Sequence, residues 1–219
     1  MSKDLLQSSE SFINLFLQVE FILVIIMKII GIVGMPGSGK TEALETIKKE
    51  FNIPVFNMGD VVTKIEPKKR GIKELNEYIE NEIRTDLRKK YGPDAIAMLI
   101  SKEIEKTDSE IVAIGGVHQF SELEYFKKKF GKDFKLIAIE VSPETRFLRM
   151  KSRPIRPLTR EEFEHRELHD AWDIKELIQR SDYKVDNEGS LEEFRQNIRK
   201  IIEDIIGQIR FIGIAGTIG

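Results

Sequence analysis

The feature that most constrains this chain is a glycine-rich stretch at residues 34–41, G-M-P-G-S-G-K-T, which directly follows an apolar run at residues 29–33. The run is rich in isoleucine and valine, and it predicts a buried β-strand. The stretch fits the spacing G-x-x-x-x-G-K-[ST], and apolar residues recur at helical intervals between residues 43 and 51. A strand, a glycine-rich loop and a helix in this order form a socket for phosphate groups.

Each residue type in the loop has a physical reason. Glycines let several backbone N–H groups converge on one anion. Lys40 would place a cation at the β- and γ-phosphates, and Thr41 would offer a hydroxyl to Mg²⁺. The sequence therefore predicts a site for ATP and Mg²⁺, with a ligand-free glycine turn as the alternative. The loop residues predicted to bind the nucleotide are Gly34, Met35, Pro36, Gly37, Ser38, Gly39, Lys40 and Thr41.

Composition narrows the possible partners and location. The 219 residues include 35 basic and 37 acidic side chains, so no overall positive field favours a nucleic acid partner. Cysteine is absent, which excludes disulfides and thiolate metal sites and agrees with a cytoplasmic location. Residues 12–26 are apolar, but Gln18 and Glu20 interrupt them and they fall short of the ~20 residues of a membrane span. We therefore expect no membrane partner, and we interpret residues 1–26 as an apolar N-terminal extension upstream of a true start at Met27.

Strand-like and helix-like segments alternate along the rest of the chain. Strands are predicted at residues 53–60, 111–114, 134–141 and 183–185. Helices are predicted at residues 61–65, 73–91, 95–104, 121–130, 145–150, 172–180 and 191–206. This order indicates an α/β domain over residues 27–206, with a parallel sheet that carries helices on both faces.

Several motifs beyond the loop carry a family resemblance. They are M-G-D at residues 58–60, Y-G-P-D-A-I-A at 91–97, S-P-E-T-R-F at 142–147 and D-Y-K-V-D-N-E-G-S-L-E-E-F at 182–194. With them the chain resembles the P-loop kinases of the adenylate kinase and dephospho-CoA kinase type, and more closely the archaeal UPF0200 group. The resemblance implies a three-layer P-loop NTPase fold, with a parallel five-stranded sheet and a helical lid.

The resemblance also implies roles for individual residues. The chain would be a small-molecule kinase that transfers the γ-phosphoryl group of ATP to a nucleotide or nucleotide-like acceptor. Asn187 and Gly189 would border the adenine. Asp60 would face the acceptor and contribute to the Mg²⁺ site, near a helix that carries Arg84 and Arg88. The oligomeric state stays open.

The arginine-rich segment at residues 146–166 would be the lid that closes over the phosphates. Arg146, Arg149 and Arg153 are the lid candidates, and with Lys40 and Asp60 they form the predicted catalytic set. Two alternatives stay open. Asp60 could instead cap the following helix, and at least half of the arginines could form a solvated surface paired with nearby glutamates.

The segment after the third predicted strand departs from the resemblance. The group usually carries an acidic residue there, in D-G-I-R, whereas this chain has Gly115, Gly116, Val117 and His118. A carboxylate near the metal normally orders the metal's water shell, and Asp60 could replace it. The alternative function is a nucleotide-binding regulatory module with little or no catalysis. A nucleic-acid-linked ATPase is disfavoured by the balanced charge.

Two further patterns lie outside this scheme. His165 and His169 have the i,i+4 spacing of a helical metal pair, but no third ligand is evident, so surface histidines are the simpler interpretation. Residues 207–219 form an apolar tail that repeats the three glycines of residues 28–37 at the same spacing. We interpret the tail as the start of a truncated second P-loop domain, with an unrelated apolar tail as the alternative.

Overall fold

The computed structural model describes residues 27–154, 157–169 and 172–215. Its strands are β1 (Lys28–Gly34), β2 (Val55–Asn57), β3 (Ile111–Gly115), β4 (Phe134–Glu140) and β5 (Tyr183–Asp186). Its α-helices are α1 (Lys40–Phe51), α2 (Glu66–Arg70), α3 (Glu77–Tyr91), α4 (Ala95–Ile104), α5 (Phe120–Phe130), α6 (Pro143–Lys151), α7 (Arg160–His169), α8 (Trp172–Gln179) and α9 (Leu191–Ala215). A π-helical turn (Val61–Ile65) and a 3₁₀ turn (Gly131–Asp133) complete the described elements.

The strands form one five-stranded sheet in the order β2-β3-β1-β4-β5, and every pairing is parallel. Strand β1 is central, so that Ile30 pairs with Ala113 of β3 on one side and with Lys135 of β4 on the other. Parallel neighbours need crossover connections, which the intervening helices provide. The predicted parallel sheet with helices on both faces is therefore confirmed.

Alternation along β1 divides the core between the two faces of the sheet. Ile29 and Val33 point into one apolar cluster, and Ile30 and Ile32 point into the other. The first cluster receives side chains from α4, α5 and α8, and the second receives side chains from α1 and α9. Both sets are buried, as expected for a central strand of a parallel sheet. The glycine-rich loop leaves the sheet from this most rigid strand.

Helix α7, which includes the end of the predicted lid segment at residues 146–166, packs on α6 through a small apolar cluster. The cluster contains Phe147, Met150, Leu158 and Phe163. The rings of Phe147 and Phe163 meet edge-on with centroids 5.5 Å apart. This contact seats the lid beside the carboxyl end of β4, where α6 begins.

Several element boundaries differ from the prediction. Helix α3 begins at Glu77 rather than at residue 73, because Asn76 caps it by accepting a hydrogen bond from the backbone N–H of Ile79 at 2.9 Å. Strand β2 covers only Val55–Asn57 of the predicted 53–60. These differences lie at the ends of helices and strands, where local contacts rather than apolar periodicity decide the boundary.

The predicted end of the last helix at residue 206 is wrong, because α9 continues to Ala215. The apolar spacing of Ile198, Ile202 and Ile205 keeps one face of α9 on the core, and no proline interrupts the residues that follow. A single interior glycine such as Gly207 costs a helix only about 1 kcal/mol. Residues 1–26 and 216–219 lie outside the described residues, so the proposed extension and second domain remain predictions.

Within the described part of the chain, no helix combines the length and the apolar character needed to span a bilayer.

Candidate functional site

The glycine-rich loop lies between the end of β1 and the start of α1. Gly37 and Gly39 have φ values of 84° and 104°, in the left-handed region that favours glycine. A Cβ at Gly34 would lie 2.5 Å from Ser38 Oγ and 2.8 Å from the carbonyl oxygen of Ile139. The glycine spacing read from the sequence therefore reflects both backbone conformation and close packing against β4.

Lys40 occupies the first turn of α1 and folds back over the loop. Its Nζ donates hydrogen bonds to the carbonyl oxygens of Gly34 at 2.7 Å and Met35 at 3.1 Å. Burial, and then the charges of Arg153 and Arg146, lower the pKa of Lys40 to about 8. Because these neighbours disfavour its charge, the ammonium gains from any anion that enters the loop.

Asn187 holds the backbone of the glycine-rich loop through a hydrogen bond. Its side-chain Nδ2 donates to the carbonyl oxygen of Ser38 at 2.8 Å, and both residues are buried. The amide fits because Gly39 has no Cβ, which would lie 2.4 Å from Nδ2. Ser38 Oγ is also buried and has no hydrogen-bond partner among the described residues. Asn187 thus lies against the loop backbone. At Gly189, a Cβ would lie 2.6 Å from Glu193 Oε2. The adenine contact assigned to Asn187 and Gly189 remains a prediction.

The three predicted lid arginines lie on or just after α6 and gather beside the loop. Arg146 is 3% exposed and pairs bidentately with Glu167 of α7, at 2.7 and 2.6 Å. Its guanidinium also donates to the carbonyl oxygens of Val141 and Pro36. Arg149 donates to the carbonyl oxygen of Asn187 at 2.8 Å.

Arg153 is exposed but close enough to Lys40 to lower its pKa. Arg160, by contrast, pairs with Glu144 and Glu164 on the surface, as the alternative for half of the arginines expected.

A cavity of about 560 Å³ opens beyond the carboxyl ends of β2 and β3. Its apolar floor comes from Met58, Val62 and Ile96, all nearly fully buried. Open α/β sheets bind ligands at this edge. The remaining lining residues are Gly59, Arg84, Arg88, Gly116, His118, Gln119, Glu122 and Asp173.

The charges in this cavity are arranged around one buried carboxylate. Glu122 is 3% exposed, and its Oε2 accepts hydrogen bonds from the backbone N–H groups of His118 at 3.0 Å and Gln119 at 3.2 Å. Its Oε1 lies 3.7 Å from Nη2 of Arg88, whose Nε is buried without a hydrogen-bond partner. Burial raises the pKa of Glu122, against the opposing effect of these hydrogen bonds and of Arg88 and Arg84.

His118 stands at the exit of β3 and faces the same cavity. Desolvation by the surrounding protein atoms, and then the charges of Lys40, Arg84 and Arg88, lower its pKa to about 4, although the residue as a whole is exposed. Lys40 is therefore within electrostatic range of His118. The glycine-rich loop and the cavity are thus electrostatic neighbours, although no residue of the loop lines the cavity.

Asp60 directly follows Gly59, which lines the cavity, but Asp60 itself is not among the lining residues. It stands at the N-cap position of the π-helical turn without a side-chain capping bond. Its Oδ2 instead accepts from Lys64 Nζ at 3.0 Å. Neither the capping alternative nor a cavity contact is present, and its assigned place at the acceptor and metal remains a prediction.

Neighbouring side chains fill the space that an acidic side chain at position 115 would need. A Cβ at Gly115 would lie 2.5 Å from Leu44 Cδ1 and 2.8 Å from Asn57 Oδ1. The space beside β3 is thus filled by a leucine of α1 and an amide of β2, and an aspartate could not enter without moving both.

The described residues contain no group of three or more His, Asp or Glu side chains placed to hold a metal ion. His165 lies on α7 as expected for a surface lid residue, and the side chain of His169 lies outside the described residues. Thr41 is exposed on the first turn of α1, where its hydroxyl is the group available to a Mg²⁺ that arrives with a nucleotide.

Sequence reasoning missed Glu122, Asp173, Asn57 and Glu167. The only local signal was the spacing of Gln119 and Glu122, which form a capping box at the start of α5. The other three residues are brought to the region by elements distant in the chain, and no spacing in the sequence marks them.

The central strand, the loop with Lys40 and the parallel strand order together define a P-loop protein of the kinase-like class. A family profile described as an AAA domain matches residues 33–167. The UPF0200 protein of Methanosarcina mazei is 40% identical over 183 residues, which cover 82% of this chain and 96% of that protein. The chain belongs to the UPF0200 family, as the resemblance implied.

Solved structures support the fold. TT1252 from Thermus thermophilus aligns with a TM-score of 0.59 and 20% identity, over 81% of this chain and 97% of that chain. Shikimate kinase from Acinetobacter baumannii, solved with shikimate, aligns with a TM-score of 0.53 and 16% identity, over 83% and 94%. At these identities the likeness establishes the architecture alone.

Proposed function

We propose that this protein binds ATP with Mg²⁺ in the glycine-rich loop and transfers the γ-phosphoryl group to a nucleotide or nucleotide-like acceptor in the adjoining cavity. The observation that carries the proposal is the position of Lys40, whose ammonium folds onto the loop within electrostatic range of the cavity. The same cation thus contacts the loop and influences the electrostatics of the cavity.

The loop is suited to the polyphosphate of ATP. Residues 34–41 would hold the β- and γ-phosphates through backbone N–H groups and through Lys40, which would exchange its two carbonyl partners for phosphate oxygens. Bound Mg²⁺ would neutralise charge on these oxygens, with Thr41 contributing its hydroxyl and Asp60 as a further candidate ligand. Asn187 and Gly189 would border the adenine.

The cavity is suited to an acceptor with an anionic group. Arg84 and Arg88 present guanidinium groups to it, while Met58, Val62 and Ile96 offer an apolar wall. Guanidinium groups bind phosphate and carboxylate strongly because they offer several donors in one plane. An acceptor phosphate would also give the unpartnered Nε of Arg88 a hydrogen bond.

Phosphoryl transfer requires mainly position and charge from the protein. Lys40, Arg146, Arg149 and Arg153 would place positive charge around the transferring group. In the described structure Glu167 of the lid holds Arg146, so closure of the lid over ATP would require a phosphate oxygen to compete for this guanidinium. A closed lid would exclude water that otherwise hydrolyses ATP.

The test is calorimetric titration of the protein with ATP and Mg²⁺. Loss of a charge-assisted contact at Lys40→Ala should weaken binding by about 10- to 100-fold. Lys48→Ala is the matched control, because Lys48 lies on the same helix and is exposed. Equal affinity of both variants, or no affinity of the wild type, would refute the proposed nucleotide site.

A nucleotide-binding regulatory module is the second candidate function. It is favoured by the missing carboxylate after β3, where Leu44 and Asn57 occupy the space. Turnover of ATP with a panel of nucleoside monophosphates and dephospho-CoA separates the two. Acceptor-dependent ADP formation indicates a kinase, whereas tight binding without turnover indicates the module.

A further inference from the structure

The transfer of a phosphoryl group to a hydroxyl releases one proton, and the described residues around the cavity limit where it can go. Arginine side chains remain protonated and cannot accept it. Glu122 is 3% exposed, and its Oε2 already accepts two backbone N–H groups, so an acceptor in the cavity has little access to this carboxylate. The more accessible titratable side chains among the lining residues are His118 and Asp173.

His118 is the better placed of the two. His118 lies two residues after Gly116, just beyond the end of β3, and a Cβ at Gly116 would lie 3.7 Å from Nε2 of the histidine. The imidazole therefore stands over the carboxyl end of the strand next to β1, which leads into the loop. Asp173 reaches the cavity from α8, which belongs to the helical layer behind the sheet.

The backbone of His118 is also held in place. Its N–H donates to Glu122 Oε2 at 3.0 Å, and Glu122 is itself anchored in the first turn of α5. The residue is exposed and lines the cavity, which places its imidazole at the surface that a ligand there would contact. A fixed backbone with an accessible ring is the arrangement that proton transfer requires.

We propose that His118 is the catalytic base that accepts the proton of the acceptor hydroxyl, in the place of the carboxylate that the chain lacks at Gly115. The assignment rests on the proposed kinase function. The acceptor oxygen forms a bond to the γ-phosphorus as the bond from that phosphorus to the bridging oxygen breaks. The bonding electrons leave with ADP, and the hydroxyl proton moves to the imidazole and then to solvent.

The electrostatics of the region support this role. Lys40, Arg84 and Arg88 oppose protonation of the ring, while Glu122 and Asp173 face the same space with the opposite charge. While no anionic ligand offsets the charges of Lys40, Arg84 and Arg88, the low pKa of His118 keeps its imidazole neutral and able to accept a proton. A polyphosphate at Lys40 and an anionic acceptor at the arginines would offset that repulsion, so the ring becomes a stronger base once both sites are filled.

The experiment compares His118→Gln with His165→Gln, which removes a histidine from the lid instead. Both variants are assayed for ATP affinity and for ADP formation between about pH 5 and pH 9, with water alone and with dephospho-CoA, whose accepting group is a hydroxyl. We expect His118→Gln to lower turnover by about 100-fold with ATP affinity retained, because general bases contribute at least this factor. Wild-type turnover should fall on acidification as the ring protonates, and His118→Gln should lose that limb.

Titration of the histidine resonances by NMR supplies a readout independent of turnover. The resonance that disappears in His118→Gln should have a pKa near 4 in the free protein. With a non-hydrolysable ATP analogue and Mg²⁺ its pKa should rise.

Turnover that is equal in wild type and His118→Gln, including turnover absent from both, overturns the assignment while the nucleotide site stands. An equal loss in His165→Gln overturns it as well. If Asp173→Asn removes the acid limb and His118→Gln keeps it, Asp173 is the base instead. Failure of the wild type to bind ATP refutes the proposed function itself, a result distinct from these.

Discussion

Substitution of Gly39 by alanine isolates the packing of the glycine-rich loop. Gly39 has a φ of 104°, and an added Cβ would lie 2.4 Å from Nδ2 of Asn187. Asn187 would have to withdraw the amide that it donates to the carbonyl oxygen of Ser38. Gly59→Ala is the matched control, because Gly59 has no heavy atom within 4 Å of such a Cβ and no positive φ.

The expected loss follows from these two contacts. A left-handed alanine costs about 1–2 kcal/mol, and the lost buried hydrogen bond costs about 1 kcal/mol more. Gly39→Ala should therefore be less stable than Gly59→Ala by about 2–3 kcal/mol, which corresponds to a difference in Tm of about 4–12 °C. The comparison between two glycine-to-alanine variants cancels the effect of the added methyl group on the unfolded chain.

Urea unfolding followed by circular dichroism measures this difference, provided that both variants show the same m-value. Asn187→Ala combined with Gly39→Ala adds a second check, because the clash is then absent and only the left-handed strain remains. The reasoning is refuted if Gly39→Ala is as stable as Gly59→Ala. It is also refuted if the double variant is destabilised by the full sum of the single changes, since the contact would then be independent of Asn187.

Two further predictions concern the charges around the loop. Because burial and the neighbouring arginines lower the pKa of Lys40 to about 8, the free protein has largely lost this charge at about pH 9, whereas a bound polyphosphate favours it. Calorimetry in buffers of different ionisation enthalpy measures the protons taken up when ATP binds. We expect uptake at about pH 9 and little at about pH 7, and an ATP affinity that falls above about pH 8. Equal proton uptake at both pH values would contradict this explanation. Glu167→Gln leaves the buried Arg146 without its carboxylate and should cost about 1–3 kcal/mol in urea unfolding. Glu164→Gln, which loses only an exposed pair with Arg160, should stay within about 0.5 kcal/mol, and similar values for both would show that burial of the pair is unimportant.

Local features of the chain were predictable because they depend on near neighbours. The loop follows from the spacing of Gly34, Gly39 and Lys40. Gly39 adopts the left-handed conformation that favours glycine, and Lys40 begins α1. Helix α6 begins at Pro143, as the N-cap residue Ser142 and the proline predict, and Ser142 Oγ accepts a hydrogen bond from the backbone N–H of Thr145. The alternation of apolar strands and amphipathic helices likewise indicated a covered parallel sheet before any contact was known.

The boundaries were less predictable, since the periodic pattern does not specify where an element stops. Asn76 delays the start of α3 by capping it, although charged residues before it fit the same helical pattern. Helix α9 runs past the predicted end at residue 206, although the last described side chains of its apolar face that reach the core are those of Ile205 and Ile206. At the start of α3 one capping contact outweighs the helical propensity of the residues before it.

The sequence by itself determined that this protein carries a P-loop on the leading strand of an α/β sheet, because a turn of that kind is specified by consecutive residues. Tertiary structure alone decided what surrounds the loop. Asn187 supports it from a position 149 residues away, Glu167 holds Arg146 across the lid, and His118 shares a cavity with arginines from α3. Such contacts depend on the order of strands and the packing of helices, which bring distant segments to one edge of the sheet and leave no mark in local spacing.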